Sequence, residues 1–218
     1  MQDTIQQIAI WALPILIAII FHEVAHGWVA NLLGDPTAAR MGRLTLNPLA
    51  HIDIFGTILV PLALLIANAP FLFGYAKPVP VNFSNLRRPK RDMVWVAFAG
   101  PATNILLAVF SVYTLKILGI IGADVLPLAI KPLALMAEKS LQINVALAAF
   151  NLFPIPPLDG GRVLVGLLPQ PYSSLVTRIE PYGFLIILIL LMTHTFDLFV
   201  GPIFDFVVRI LMVLGGEW

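Results

Sequence analysis

Residues 5–33 read IQQIAIWALPILIAIIFHEVAHGWVANLL. Outside one polar cluster the stretch is apolar on every face, and a run of this length suits a tilted membrane span, with Pro14 a site for a kink. The cluster is Phe21-His22-Glu23-Val24-Ala25-His26-Gly27. His22 and His26 stand four residues apart, so on an α-helix they share a face and can reach one ion. Glu23 follows the first histidine. This is the H-E-x-x-H arrangement, in which two imidazoles hold Zn²⁺ and the glutamate acts as general base. Ionisable groups inside a span are expensive, which makes these three functional candidates.

Composition places the motif in a membrane protein. Of 218 residues, 59% are hydrophobic and 11% charged, against about 25% charged in a soluble domain. The mean hydropathy is +0.93. A net charge of +1 offers no electrostatic footprint for nucleic acid. Cysteine is absent, so disulfides and thiolate metal sites are excluded. The start, MQDTIQQ, lacks a basic n-region and reads as the beginning of a retained helix.

After Gly34-Asp35-Pro36, a helix stop, a polar stretch carries Arg40, Arg43, Asn47, His51 and Asp53. Residues 54–73 are long enough for a span but contain Pro61 and Pro70. Residues 74–92, GYAKPVPVNFSNLRRPKRD, are the most polar part of the chain, and KPVPV suits a short extended strand. Both flanks of 54–73 are basic, so the positive-inside rule puts both in the cytoplasm. The segment is therefore expected to be re-entrant, or to cross and let the extended KPVPV strand return, and Pro61 favours such a break. The N-terminus would then lie outside, and the first helix would reach the cytoplasm just after His26. Residues 93–121 read as a clear span containing Gly100-Pro101-Ala102-Thr103-Asn104, and 122–139 as a mixed loop. The run from 140 to 168 breaks at three prolines and two glycines around Asp159. Irregular backbone at membrane depth survives only where protein or a water-filled cavity covers it. Further apolar stretches complete the chain, interrupted at His194-Thr195-Phe196-Asp197.

A catalytic zinc normally has three protein ligands. Candidates for the third are Asp159, His51, Asp53, His194 and Asp197. Asp159 is preferred, because an unpaired carboxylate among apolar residues is costly and a cation offsets that cost. The same position also suits a helix N-cap. Gly160 and Gly161 would let the backbone aim the carboxylate. Asn104 and Asn151 are candidates for substrate contact, or for interhelical packing. His51 and Asp53 read as loop-ordering residues, the Arg87–Arg91 run as a headgroup-facing loop, and His194 with Asp197 as interfacial.

FHEVAHGW (21–28), GPATN (100–104) and NLFPIPPLDGGRVL (151–164) together resemble the site-2 proteases, intramembrane zinc metalloproteases. NPLAHIDIFGT (47–57) and GYAKPVPVN (74–82) resemble their small bacterial and archaeal branch, without a PDZ or CBS-like domain. The likeness runs from about residue 15 to 168 and is looser beyond. It implies His22, His26 and Asp159 as ligands of one Zn²⁺ per chain, Glu23 as catalytic base and Asn151 as a substrate-backbone contact. It also implies an active site within the membrane, toward the cytoplasm.

The expectation is an all-α polytopic membrane protein with about five to six transmembrane helices, one of its segments re-entrant or broken, and a short strand near the site. Residues 1–218 would form one membrane-embedded protease domain, with a core at 5–168 and C-terminal helices at 175–214. Its partners would be the lipid bilayer of a prokaryotic cell membrane and a transmembrane segment of a substrate. The alternative is a membrane zinc-binding or transport protein without hydrolytic activity. Such a protein does not need a glutamate beside His22.

Overall fold

The computed structural model describes residues 2–68, 74–122 and 124–216. In order these form α1 (Gln2–Leu32), α2 (Thr37–Arg40), a 3₁₀ turn (Pro48–His51) and a π-helical turn (Ile54–Leu59) that runs into α3 (Val60–Ile66). A second 3₁₀ turn (Phe83–Asn85) follows, then α4 (Pro89–Ile121), α5 (Pro127–Asn151), α6 (Asp159–Leu167), α7 (Tyr172–Met192) and α8 (Thr195–Gly215). Among the described residues, five helices are long and apolar enough to cross a membrane: α1 from Ile10, α4, α5, α7 and α8. The chain is an all-α polytopic membrane protein.

Local chemistry sets the helix ends. Pro89 and Pro127 open α4 and α5 within the first turn, where a missing N–H loses nothing. Gly122 ends α4 with φ +82°, and Gly216 ends α8 with φ +82°. Expecting a mixed loop over 122–139 was wrong for most of that range, since α5 already begins at Pro127. Pro127 and Pro132 read as breaks, but one is a first-turn residue and the other is carried inside the helix, as membrane helices tolerate.

α4 is the central helix, packed against α1, α5, α6 and α8. The contacts are made by small side chains, with Ala18, Ala30, Ala108 and Ala148 all buried. Close approach of this kind drives helix association where lipid removes the hydrophobic term. One apolar cluster joins Ala108 and Val112 of α4 to Leu141 and Val145 of α5 and Leu211 of α8. Leu106, Phe110, Ile120 and Leu128 point outward, as lipid-facing residues do.

Ile54–Ile66 does not span. A helix of that length reaches about 20 Å, against a hydrocarbon core of about 30 Å. The chain is back beside its starting point by Tyr75, whose N–H donates to Gly56 O at 3.0 Å and whose carbonyl accepts from Thr57 Oγ1 at 3.0 Å. The segment is therefore re-entrant, and its basic flanks share one end of the bundle. Pro70 lies outside the described residues.

The expected strand at KPVPV is absent: no β-strand occurs among the described residues. Pro78 and Pro80 leave donors along one edge only, and of these Lys77 and Val79 N–H are engaged by His51 O and the Glu23 carboxylate. Residues 74–88 form an irregular strap instead. Lys77 N–H donates to His51 O at 2.9 Å, Arg43 Nη2 donates to Lys77 O at 3.0 Å and to Pro78 O at 3.3 Å, and Arg87 N–H donates to Leu33 O at 3.0 Å. Asp35, fully buried after α1, accepts from Asn82 N–H at 2.6 Å, from Asn85 Nδ2 at 2.9 Å and from the Thr37 hydroxyl.

Candidate metal centre

His22 and His26 lie one turn apart on the face of α1 that meets α4, and Asp159 begins α6. The LDGG sequence brings that carboxylate in. A Cβ on Gly160 would fall 2.2 Å from Leu152 O, and one on Gly161 2.2 Å from Pro156 N. Only glycines let α6 tuck under residues 152–158. Leu158 stands at the N-cap position and no side-chain cap bond forms there, so the capping use of Asp159 is not realised. The carboxylate faces the two imidazoles instead.

The three donor atoms form a near-equilateral triangle. His22 Nε2 and His26 Nε2 are 3.0 Å apart, and Asp159 Oδ2 is 3.2 Å from the first and 3.3 Å from the second. Ligands at 2.0–2.2 Å around a tetrahedral ion are about 3.3 Å apart. Asp159 Oδ2 is buried and has no hydrogen bond of ordinary geometry, which is the situation of an oxygen awaiting a cation. Two imidazoles and one carboxylate are a donor set suited to zinc, and among the described residues this group is the one that could hold a metal ion.

Each imidazole is held from behind. His26 Nδ1 is 2.7 Å from the carbonyl of Val96, and His22 Nδ1 is 2.5 Å from Asn104 Oδ1. The Val96 carbonyl can only accept, so it places the His26 ring proton on Nδ1 and leaves Nε2 with its lone pair facing the triangle. Room for the rings comes from Gly100. A Cβ there would lie 2.4 Å from His26 Nε2 and 2.6 Å from His22 Nε2.

Glu23 lies beside the triangle, its Oε2 accepting from Val79 N–H at 2.8 Å. It lines a cavity of about 660 Å³ together with His22, Tyr75, Phe150, Asn151 and Phe184. A smaller cavity of about 170 Å³ adjoins it and reaches Glu23, His26, Asn151, Asp159 and Arg162. Asn151 lines both, with its Nδ2 donating to Leu147 O at 3.0 Å. The larger cavity is walled mainly by apolar and aromatic groups, with His22, Glu23, Tyr75 and Asn151 supplying its polar groups.

Asn104 is elsewhere. It is fully buried, with its Nδ2 donating to Asn144 Oδ1 at 2.8 Å and to Ala18 O at 3.2 Å. Its amide is engaged by α1 and α5, so the expectation of a substrate contact does not describe it. His51 and Asp53 order the loop before the re-entrant segment: His51 Nε2 is 2.8 Å from Thr45 O, and Asp53 Oδ1 accepts from Gly56 N–H at 2.8 Å. His194 and Asp197 pair at 3.0 Å in the exposed turn between α7 and α8. Gly100, Asn144 and the Val79 N–H escaped the sequence reading as contributors to the site. Gly100 lay within the quoted GPATN segment, but only the register of α4 on α1 shows what its missing side chain makes room for.

Comparison with known proteins agrees with this geometry. The model of Peptidase family M50 matches residues 128–194, the part that contains Asn151 and Asp159. The chain is 38% identical over 181 residues to the "Putative zinc metalloprotease YwhC" of Bacillus subtilis (strain 168), covering 83% of this chain and 79% of that protein. It is 29% identical over 179 residues to the "Putative zinc metalloprotease Rip2" of Mycolicibacterium smegmatis, covering 82% of this chain and 64% of that protein. The protein of the same printed name from Mycobacterium tuberculosis is 25% identical over 182 residues, covering 84% of this chain and 66% of that protein. No solved structure matches.

Proposed function

Because the chain belongs to Peptidase family M50, the site-2 protease family, and is a zinc metalloprotease, we propose that it hydrolyses peptide bonds within or near transmembrane segments of other membrane proteins. The observation that carries this reading is the donor triangle of His22, His26 and Asp159, set among membrane-crossing helices with Glu23 alongside. In this reading the three hold one zinc ion. A bound zinc ion supplies Lewis acidity toward a carbonyl oxygen and toward water.

The chain's own groups do the rest. Glu23 accepts the proton of the attacking water as oxygen bonds to the scissile carbonyl carbon. It then delivers that proton to the leaving amine as the C–N bond breaks. Val79 N–H holds Oε2 of the base in position. Asn151, at the junction of the two cavities, hydrogen-bonds the unwound substrate backbone. The apolar walls around Phe150 and Phe184 bind the flanking side chains.

Arg40, Arg43, Lys77, Arg87, Arg88, Lys90 and Arg91 gather where α1 ends and α4 begins. By the positive-inside rule that end, and the site with it, faces the cytoplasm of a prokaryotic cell. The chain has no native cysteine, so a single cysteine at Arg88 can be probed with an impermeant maleimide. Labelling only after the cells are opened supports this orientation, and labelling from outside reverses it. For the chemistry, purified Glu23→Gln protein retains zinc and does not cleave a transmembrane substrate. Wild-type cleavage by that variant removes Glu23 from the mechanism.

A further inference from the structure

Behind His22 runs a chain of two buried amides and two hydroxyls that the proteolytic reading does not use. Asn104 Oδ1 meets His22 Nδ1 at 2.5 Å, and Asn104 Nδ2 donates to Asn144 Oδ1 at 2.8 Å. Asn144 Nδ2 donates to Ser140 O at 2.8 Å and lies 3.2 Å from Ser140 Oγ, which is 2.8 Å from Ser111 Oγ. Asn104 and Asn144 are both fully buried, so water does not take the place of the bonds between them or to His22. An amide in such a place must have its oxygen and nitrogen the right way round.

Two backbone carbonyls, which can only accept, set that direction. Ser140 O takes a donor from Asn144, so Nδ2 of Asn144 must face it and Oδ1 must face away. That oxygen and Ala18 O then demand the Nδ2 of Asn104. The oxygen of Asn104 is left to His22, where it can only accept. We infer that Asn104, locked by Asn144, is a positioning residue that fixes His22 as its Nδ1–H tautomer and so presents the Nε2 lone pair to the zinc. The inference rests on His22 being a zinc ligand. It adds that the tautomer of that ligand is dictated from α5, through α4, by residues that touch neither zinc nor substrate.

The test compares variants of the full-length protein in detergent, with zinc affinity read by competition against a chromogenic chelator. Asn104→Leu keeps the volume and removes the acceptor, and is expected to weaken zinc binding by about 10–100-fold. Asn104→Asp keeps the acceptor toward His22 but loses both Nδ2 bonds, and is expected to bind far more tightly than Asn104→Leu. If the amide merely tied α1, α4 and α5 together, the two variants would be equally impaired, since both lose Nδ2. Equal impairment, or wild-type affinity in Asn104→Leu, overturns the inference. Histidine-labelled ¹⁵N NMR of the zinc-loaded protein with His51→Gln and His194→Gln requires no change in the network. Only Nδ1–H signals are expected from the two remaining rings, and an Nε2–H signal also overturns it. His22→Ala separates the two readings, because unchanged zinc affinity there removes His22 as a ligand, whatever Asn104 does.

Discussion

The backbone N–H of Val79 donates to Glu23 Oε2 at 2.8 Å, joining the strap after the re-entrant segment to the acid beside the metal centre. Prolines at 78 and 80 flank the donor, and Gly27 makes room for it, since a Cβ there would fall 2.5 Å from Val79 Cγ1. The KPVPV segment, which sequence suggested as a strand, thus positions the Glu23 side chain.

Removing that donor should affect catalysis and spare the metal. Val79→Pro is expected to lower kcat by about 10–100-fold, the scale of a small misplacement of a reacting group. Val79→Ala keeps the N–H and should stay near wild type. Zinc content by mass spectrometry should be unchanged in both, and loss of metal in Val79→Pro would assign the strap a different role.

Gly100→Ala should be severe for so small a change. The added carbon would sit 2.4 Å from His26 Nε2 and 2.6 Å from His22 Nε2, so α1 and α4 must part or the rings must turn. The variant is expected to purify with well under one zinc per chain. Elemental analysis checks this, and full zinc occupancy would contradict the close packing described.

Much of this site was legible beforehand. Four-residue spacing put His22 and His26 on one helical face. The cost of an unpaired carboxylate favoured Asp159, but a helix cap suited that position as well, and the likeness to site-2 proteases decided between them. Basic flanks on both sides of 54–73 pointed to a return to the same side, but left open whether the segment crosses first. What stayed hidden depended on register between distant segments. Asn104 is 82 residues from His22, and nothing local tells its amide to face a histidine and not a cavity. Asn144 and Ser140 sit on a helix with no motif of their own. The prolines of KPVPV favoured extended backbone, but the Lys77 and Val79 donors they leave bond His51 O and Glu23 in place of a neighbouring strand.

Asp35 gives the strap a pH dependence. Burial alone would raise its pKa, but hydrogen bonds from the Thr37 hydroxyl, Asn85 Nδ2 and the Asn82 and Thr37 N–H groups outweigh burial and hold it below the usual value. Its folded pKa lies below the unfolded one. The stabilisation is therefore present above the unfolded pKa of about 3.9 and lost as pH falls through the folded value. Asp35→Asn should cost about 1–3 kcal/mol at neutral pH, the scale of a broken buried hydrogen-bond set. Melting curves of both proteins from pH 7 downward should converge on acidification. A gap that is constant with pH would rule out the charge as the cause.

Asp159→Ala should lose zinc while leaving the helical content of the bundle intact, since its carboxylate oxygen serves the triangle and not a helix cap. Circular dichroism with metal analysis separates the two effects. A variant that unfolds in detergent would show that the carboxylate has a structural role as well.

The most direct test is anomalous diffraction at the zinc edge from crystals of the Glu23→Gln protein grown with zinc. One peak per chain is expected, within about 2.0–2.2 Å of His22 Nε2, His26 Nε2 and an Asp159 oxygen. A peak at His51 or His194, or none between these three side chains, would contradict the account.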